Sequence, residues 1–262
     1  MKALVLAAGR GTRMRADADA AALAPEQAAA ADAGHKAMMP FGRPFLDYVI
    51  HSLADAGVDD VALVVGADHD QIRDYYGELR TRRISISFVT QRRPLGTADA
   101  VASAEAWAGH DPFLTLNGDN LYPAGALARM TDGTEPALAG FRRGALGLPD
   151  ERLAAFALIG RAADGSLAGI VEKPGEAAVA AAGRDALVSM NLWRFDARIF
   201  EACRQVPLST RGELELPHAV ALALAAGMPF DVIEVAGEVL DLSRRTDVAA
   251  VARRLDGARV DL

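Results

Sequence analysis

The 262-residue chain, 51% apolar and 24% charged, has room for one large α/β domain or two small ones around a substantial core. Its net charge of −7 comes without a long basic run, which argues against wholesale nucleic-acid binding and leaves only a local pocket for a small anion. A lone cysteine, Cys203, excludes a disulfide framework or a cysteine zinc site, and no apolar stretch approaches the roughly 20 residues that span a bilayer.

Residues 3–6 form an apolar run short enough for a buried strand. It empties into Ala7-Ala8-Gly9-Arg10-Gly11-Thr12, a small-residue turn that lets backbone lie close to a ligand. Strand, glycine turn and helix start together make a phosphate-binding geometry, although a tight turn alone would use the same residues. The run is too short for a signal peptide, so the expected location is the cytoplasm. Residues 14–36 are dense in alanine and carry Asp17, Asp19 and Asp32. Within them 23–33, opened by Pro25 and Glu26, suits a helix. Its apolar face is mostly methyl groups, which favours a partly ordered flap over the glycine turn, with a small packed helix as the alternative.

Residues 44–56 carry Phe45, Leu46, Val49, Ile50 and Leu53, a helical stripe that stops at Gly57. A strand over 58–65, a short helix over 69–76 and a strand over 84–89 follow. Next come a helix over 97–107 and a strand over 112–116, ending in Asn117-Gly118-Asp119-Asn120. This alternation predicts right-handed βαβ units on a mostly parallel sheet, with ligands at the carboxyl ends of its strands. The turns at 8–12 and 117–120 then share one edge. From Glu135 the rhythm changes. Strands are expected over 137–141, 153–159, 167–171 and 187–195, with Asp164-Gly165 as a hairpin turn. Helices over 196–204 and 214–226, strands over 230–235 and 239–242, and a helix over 247–255 complete the chain. No repeat or Pro/Gly/Ser-rich linker divides it, so 1–262 reads as a single domain in which 135–262 is a lobe completing the sheet of 1–134.

Five constellations carry chemistry. Gly9-Arg10-Gly11-Thr12-Arg13 offers backbone donors and a guanidinium that can grip a phosphate bidentately. Lys36 stands just before a proline-ended apolar stretch. Asn117-Gly118-Asp119-Asn120 sets a carboxylate after a buried strand, a placement that suits Mg²⁺. Val171-Glu172-Lys173-Pro174 ends another strand with an acid and a base. Asp241 lies between apolar neighbours, which is costly unless the charge is paired or metal-bound. Each has a bland explanation alone: a turn, a surface charge, a structural ion pair.

The set and its order resemble the sugar-1-phosphate nucleotidylyltransferases, which include glucose-1-phosphate thymidylyl- and uridylyltransferases. The resemblance rests on Leu6-Ala7-Ala8-Gly9-Arg10-Gly11-Thr12-Arg13-Met14, residues 36–40, Pro94-Leu95-Gly96-Thr97-Ala98-Asp99-Ala100-Val101, 117–120, 171–174 and Asp241, and covers nearly the whole chain. It implies a GT-A-like, Rossmann-related three-layer α/β/α fold with a mostly parallel mixed sheet. It also implies a Mg²⁺-dependent reaction in which an NTP and a sugar 1-phosphate give an NDP-sugar and pyrophosphate. By motif, Arg13 holds the triphosphate and Lys36 assists; Ala8, Gly9, Gly11 and Thr12 contact the nucleotide; Gln91, Gly96 and Thr97 face the base. Asp119 and Asp241 are the implied Mg²⁺ ligands. Lys173 anchors the attacking sugar phosphate, Glu172 binds sugar hydroxyls, and Asn191 and Ala157 fall in sugar-site segments. No covalent nucleophile is required.

Three features depart from the family pattern. The spacing from glycine motif to lysine is about ten residues longer, so the alanine-rich stretch looks like an insertion. Phe156-Ala157 stands where relatives often have Tyr-Gly. Residues up to Leu262 leave no room for the β-helix acyltransferase domain of some relatives, so a single-function enzyme is expected. A Gln amide pairs with an imide edge, which favours UTP or dTTP, with GTP and CTP open. Glucose 1-phosphate is the default sugar; a cyclitol, a rarer sugar and a homo-oligomer stay open. A catalytically silent nucleotide-sugar sensor is the alternative. A dinucleotide-dependent reductase fits less well, because Met14 and Val65-Gly66 stand where its fingerprint needs a small residue and an acid.

Overall fold

The computed structural model describes residues 1–16 and 23–262. Its first half runs β1 (Lys2–Leu6), α1 (Thr12–Ala16), α2 (Pro25–Ala33), α3 (Phe45–Asp55), β2 (Asp60–Gly66), α4 (Asp70–Glu78), β3 (Ser85–Gln91), α5 (Thr97–Ala102), α6 (Glu105–Ala108) and β4 (Phe113–Asn117). There follow β5 (Asn120–Leu121), α7 (Ala124–Thr131), β6 (Ala137–Arg142), α8 (Asp150–Leu153), β7 (Ala157–Arg161), β8 (Leu167–Glu172), α9 (Glu176–Ala181) and β9 (Leu187–Phe195). The chain closes with α10 (Ile199–Gln205), α11 (Leu216–Ala225), β10 (Asp231–Val235), β11 (Leu240–Asp241) and α12 (Val248–Leu255).

Seven strands lie side by side in the order β10-β6-β9-β4-β1-β2-β3, with β7 and β8 joined to the edge of β9. Pairs β1–β2, β1–β4, β2–β3 and β6–β10 are parallel, whereas β9 runs against β4, β6 and β7. Strand alternation assigns the two faces. Ala3, Val5, Val61 and Leu63 meet α3, α4, α7 and α12; Leu4, Ala62, Val64 and Phe113 meet α5, α10 and α11. The expected three-layer, mostly parallel mixed sheet is what forms. On α3 the predicted stripe is fully buried, and each such apolar side chain contributes about 1.5–3 kcal/mol. No helix among the described residues is long and apolar enough to cross a membrane.

Several expectations need correction. Residues 25–33 form a packed helix rather than a flap: Ala31 is fully buried and Asp32 pairs with Arg245. Asp17 and Asp19 lie outside the described residues. The single helix expected over 97–107 breaks at Ser103, whose hydroxyl donates to Asp99 O four residues back (2.8 Å) and competes with the helical ladder. Leu153 closes the one-turn helix α8, so β7 starts only at Ala157. The strand expected over 239–242 shrinks to β11, which leaves the main sheet and pairs with β5. Helices α7 and α9 have no counterpart in the sequence reading. Both are short, and α9 is mostly alanine.

Candidate active site

Parallel register puts Leu6 of β1 beside Val64 and Asn117, so the ends of three strands open on one edge. The Gly118 N–H donates to Leu6 O and the Ala7 N–H to Val64 O, both at 2.9 Å, locking the two turns together as the sequence predicts. Above them lies a cavity of about 340 Å³, lined by Ala8, Gly9, Arg10, Thr12, His35, Lys36, Gln91, Gly96, Thr97 and Asp119 among others.

The two glycines of the turn do different work. Gly9 faces the cavity, and a Cβ built on it meets nothing within 4 Å. Gly11 has φ +59°, and a Cβ there would overlap Gly34 O, a backbone atom that cannot rotate away. Gly11 therefore holds the alanine-rich helix against the turn. We expect Gly11→Ala to cost roughly 2–4 kcal/mol through strain and overpacking, while Gly9→Ala stays near wild-type stability. Thermal melts separate the two; equal melting losses would refute the division. Arg13 stands exposed on α1, outside the cavity lining, whereas Arg10 lies within it.

The small β5–β11 pairing brings the two aspartate-bearing segments together: Asp241 faces Asn120, and the Leu242 N–H donates to the Asp119 backbone O at 2.9 Å. Lys36 forms an ion pair with Asp119. Asp241, buried, accepts from Ser243 Oγ (2.7 Å), Asn120 Nδ2 (3.3 Å) and Arg152 Nη2 (2.5 Å). Burial and the nearby Asp119 charge raise its pKa, against the pull of Ser243 and Arg152. Asp119 lines the cavity and the buried Asp241 does not; each carboxylate is held by a protein cation, Lys36 and Arg152 respectively. Among the described residues no group of three His, Cys, Asp or Glu forms a complete metal cage.

At the far end of the cavity, Gln91 is buried at the tip of β3. Gly96, with φ +118°, lets Leu214 close on the turn, since a Cβ there would lie 2.5 Å from Leu214 O. The Leu214 N–H donates to Leu95 O (2.6 Å), the Ala98 N–H to Leu214 O (2.8 Å), and the Leu216 N–H to Thr97 Oγ1 (2.9 Å). The Thr97 hydroxyl accordingly caps the start of α11.

Glu172 and Lys173 end β8 outside that cavity lining. Lys173 Nζ lies 3.0 Å from Glu172 Oε1 and 3.1 Å from Glu215 Oε2, and Arg211 reaches Glu215 Oε1 at 3.1 Å. Burial, reinforced by hydrogen bonding to Glu215, pushes Glu172 up to about 7. Burial acts on Glu215 too, but hydrogen bonds from Glu172, Lys173 and Ser209 outweigh it and bring that carboxyl down to about 2. The two carboxyls titrate as a pair, with the proton favoured on Glu172. Sequence reasoning missed Glu215: an acid preceding Leu216-Pro217 reads as an ordinary helix start. Among the described residues only Lys173 (φ 46°) and Asn191 (φ 58°) are non-glycine residues with positive φ. Such backbone costs about 1–3 kcal/mol per residue and concentrates at functional sites. Asn191 marks where the edge of β9 changes partner, from β7 at residues 187–189 to β4 at 193–195. Ala157 pairs with both Glu172 and Ser189, placing it between these two residues' strands.

Also unforeseen is Asp47, fully buried on α3, which accepts from Arg43 Nε (2.7 Å), Tyr75 OH (2.9 Å) and Tyr76 OH (2.7 Å). It ties α4 to α3 and so fixes Ile72, which lines the cavity.

A doubly covered sheet whose strand ends gather a glycine turn, Asp119 and the Lys36 that pairs with it defines an α/β protein with its cavity at the carboxyl edge of the sheet. A family model described as "Nucleotidyl transferase" matches residues 2–237, and the chain belongs to that family. It is 30% identical to a glucose-1-phosphate thymidylyltransferase of Streptomyces antibioticus over 97% of this chain and 65% of that protein. It is 28% identical to a UTP–glucose-1-phosphate uridylyltransferase of Haloferax volcanii over 97% of this chain and 96% of that protein. The chain thus spans just under two thirds of the length of its Streptomyces relatives. A UDP-glucose pyrophosphorylase crystallised with UDP-glucose shares the fold, with TM-score 0.75 at 18% identity over 98% of this chain and 99% of that one.

Proposed function

We propose that the chain is a sugar-1-phosphate nucleotidylyltransferase, making an NDP-sugar and pyrophosphate from UTP or dTTP and a sugar 1-phosphate, with glucose 1-phosphate as the default. One observation carries this reading: a glycine-floored cavity runs from Gln91 to the Lys36–Asp119 pair, with Asp241 beside it, in a chain that also ends β8 in a strained, carboxylate-held lysine. The sugar phosphate oxygen attacks the α-phosphorus, the bond to the β-phosphate oxygen breaks, and pyrophosphate departs. Such a transfer needs alignment and charge neutralisation rather than a covalent intermediate. Cys203 is buried, and burial pushes its thiol up to about 12, which suits packing and not attack.

Asp119 and Asp241 fit Mg²⁺, which takes one or two carboxylates and fills its remaining positions with water and phosphate oxygens. When bound, the ion supplies charge neutralisation on the phosphates. Lys36, paired with Asp119, is placed to exchange that partner for a phosphate oxygen, and Arg10 adds a second cation on the cavity wall. Lys173 holds the attacking phosphate, and Glu172 beside it offers a carboxyl oxygen that accepts from a sugar hydroxyl.

The test is pyrophosphate release across a panel of NTPs and sugar 1-phosphates with Mg²⁺. Turnover with a uridine or thymidine triphosphate and a hexose 1-phosphate is expected. Tight NDP-sugar binding with no turnover for any pair would mark a silent sensor instead.

A further inference from the structure

Gln91 is buried at the end of β3, and its Nε2 lies 2.9 Å from Gly96 O and 2.8 Å from Asp99 Oδ2. Both neighbours only accept: a peptide carbonyl has no hydrogen to give, and neither has a carboxylate. The atom between them is therefore the NH2 group. Its two hydrogens are thereby both used. Oε1 is the end left over, and it accepts no hydrogen bond from the described residues. Asp99 does not line the cavity; it stands behind Gln91, on the first turn of α5.

We infer that Asp99 is a specificity-determining positioning residue, which locks the Gln91 amide so that it shows the base a lone acceptor and selects an imide base, uracil or thymine. This rests on the nucleotidylyltransferase reading above and extends it to how the base is chosen. A lone acceptor requires a donor from the ligand. Uracil and thymine bring one at N3–H. Cytosine is the same size but carries a lone pair at N3, so it meets oxygen with nitrogen or has to slide until its exocyclic amine reaches Oε1. A site built to pair with a substrate N–H discriminates strongly, because its own polar group is otherwise stranded. The carboxylate makes this a property of two residues. Gly96 O holds one Nε2 hydrogen and the Asp99 carboxylate the other; without the charged partner only the neutral carbonyl opposes the turn that would let Nε2 meet cytosine N3.

The experiment compares UTP with CTP, in binding titrations and in kcat/KM at saturating sugar 1-phosphate, for wild type and for the near-isosteric Asp99→Asn. The amide this substitution introduces can donate to Gln91 as readily as accept, so the orientation then rests on Gly96 O alone. We expect wild type to favour UTP by on the order of 100-fold. In Asp99→Asn the ratio should fall at least about 10-fold, chiefly through improved use of CTP, with the sugar 1-phosphate KM within about twofold. A purely structural role for Asp99 would weaken both nucleotides alike and leave the ratio unchanged, and that result overturns the inference. So does a wild-type preference for CTP, which would leave the nucleotidylyltransferase reading standing. Absence of both binding and turnover with every NTP would instead remove that reading, and this inference with it.

Discussion

Asp119→Asn is expected to lower kcat by on the order of 10²–10³, the scale on which one preorganised electrostatic contact to a transition state is lost. The substitution keeps the size of the side chain and one acceptor oxygen, so the β5–β11 pairing that brings Asp241 alongside should survive. What disappears is a negative charge. Two phosphate-bearing substrates repel by about 4 kcal/mol per unit-charge pair at 4 Å in an effective dielectric of 20, and a metal held by one carboxylate offsets less of that. Lys36, relieved of its partner, remains free to contact phosphate, so NTP binding should change only a few-fold while turnover collapses. Asp119 is the cleaner target of the two. Removing the Asp241 charge would also leave buried Arg152 and Ser243 contacts unbalanced and confound catalysis with stability. Turnover measured across a Mg²⁺ titration decides the matter: near-normal kcat at saturating metal would sink the assignment of Asp119.

The main strands and α3 are legible in the sequence because their periods are clean and their lengths ordinary. The edge shared by the glycine turn and Asn117–Asn120 follows from parallel topology alone. What stays hidden has a common physical cause: partnership across sequence distance. Asp99 acts on Gln91 across a turn, Glu215 meets Lys173 from 42 residues away, and Arg152 reaches Asp241 from 89. No local pattern encodes such contacts. Helix α2 escapes a reading from composition because methyl groups bury little area, yet Gly11 and Gly34 let backbone meet backbone there and Asp32 adds an ion pair to Arg245. Arg13 shows the converse. The motif singles it out, while in the fold its neighbour Arg10 faces the cavity.

Lys173→Ala should raise the KM for sugar 1-phosphate by roughly 10- to 100-fold, matching the 1.5–3 kcal/mol of a hydrogen bond to a charged group, and leave NTP affinity within about twofold. The asymmetry follows from position. Lys173 ends β8 and is held by Glu172 and Glu215, away from the lining of the cavity that Gln91 and Lys36 bound. Its left-handed backbone, just before Pro174, spends conformational energy to aim one ammonium group. Alanine keeps that strain and removes the ammonium, so Lys173→Gly serves as a second arm: it relaxes the φ of 46° and should melt higher than the alanine variant while remaining equally poor in sugar 1-phosphate use. Arg211 still partners Glu215 in both, so the carboxylate pair keeps one cation and the fold should persist. A KM effect confined to the NTP would show that the two phosphate sites are reversed. If instead both KM values stayed normal and only the melting temperature fell, Lys173 would be a structural counterion to two buried acids, and the attacking phosphate would have to be held by another cation.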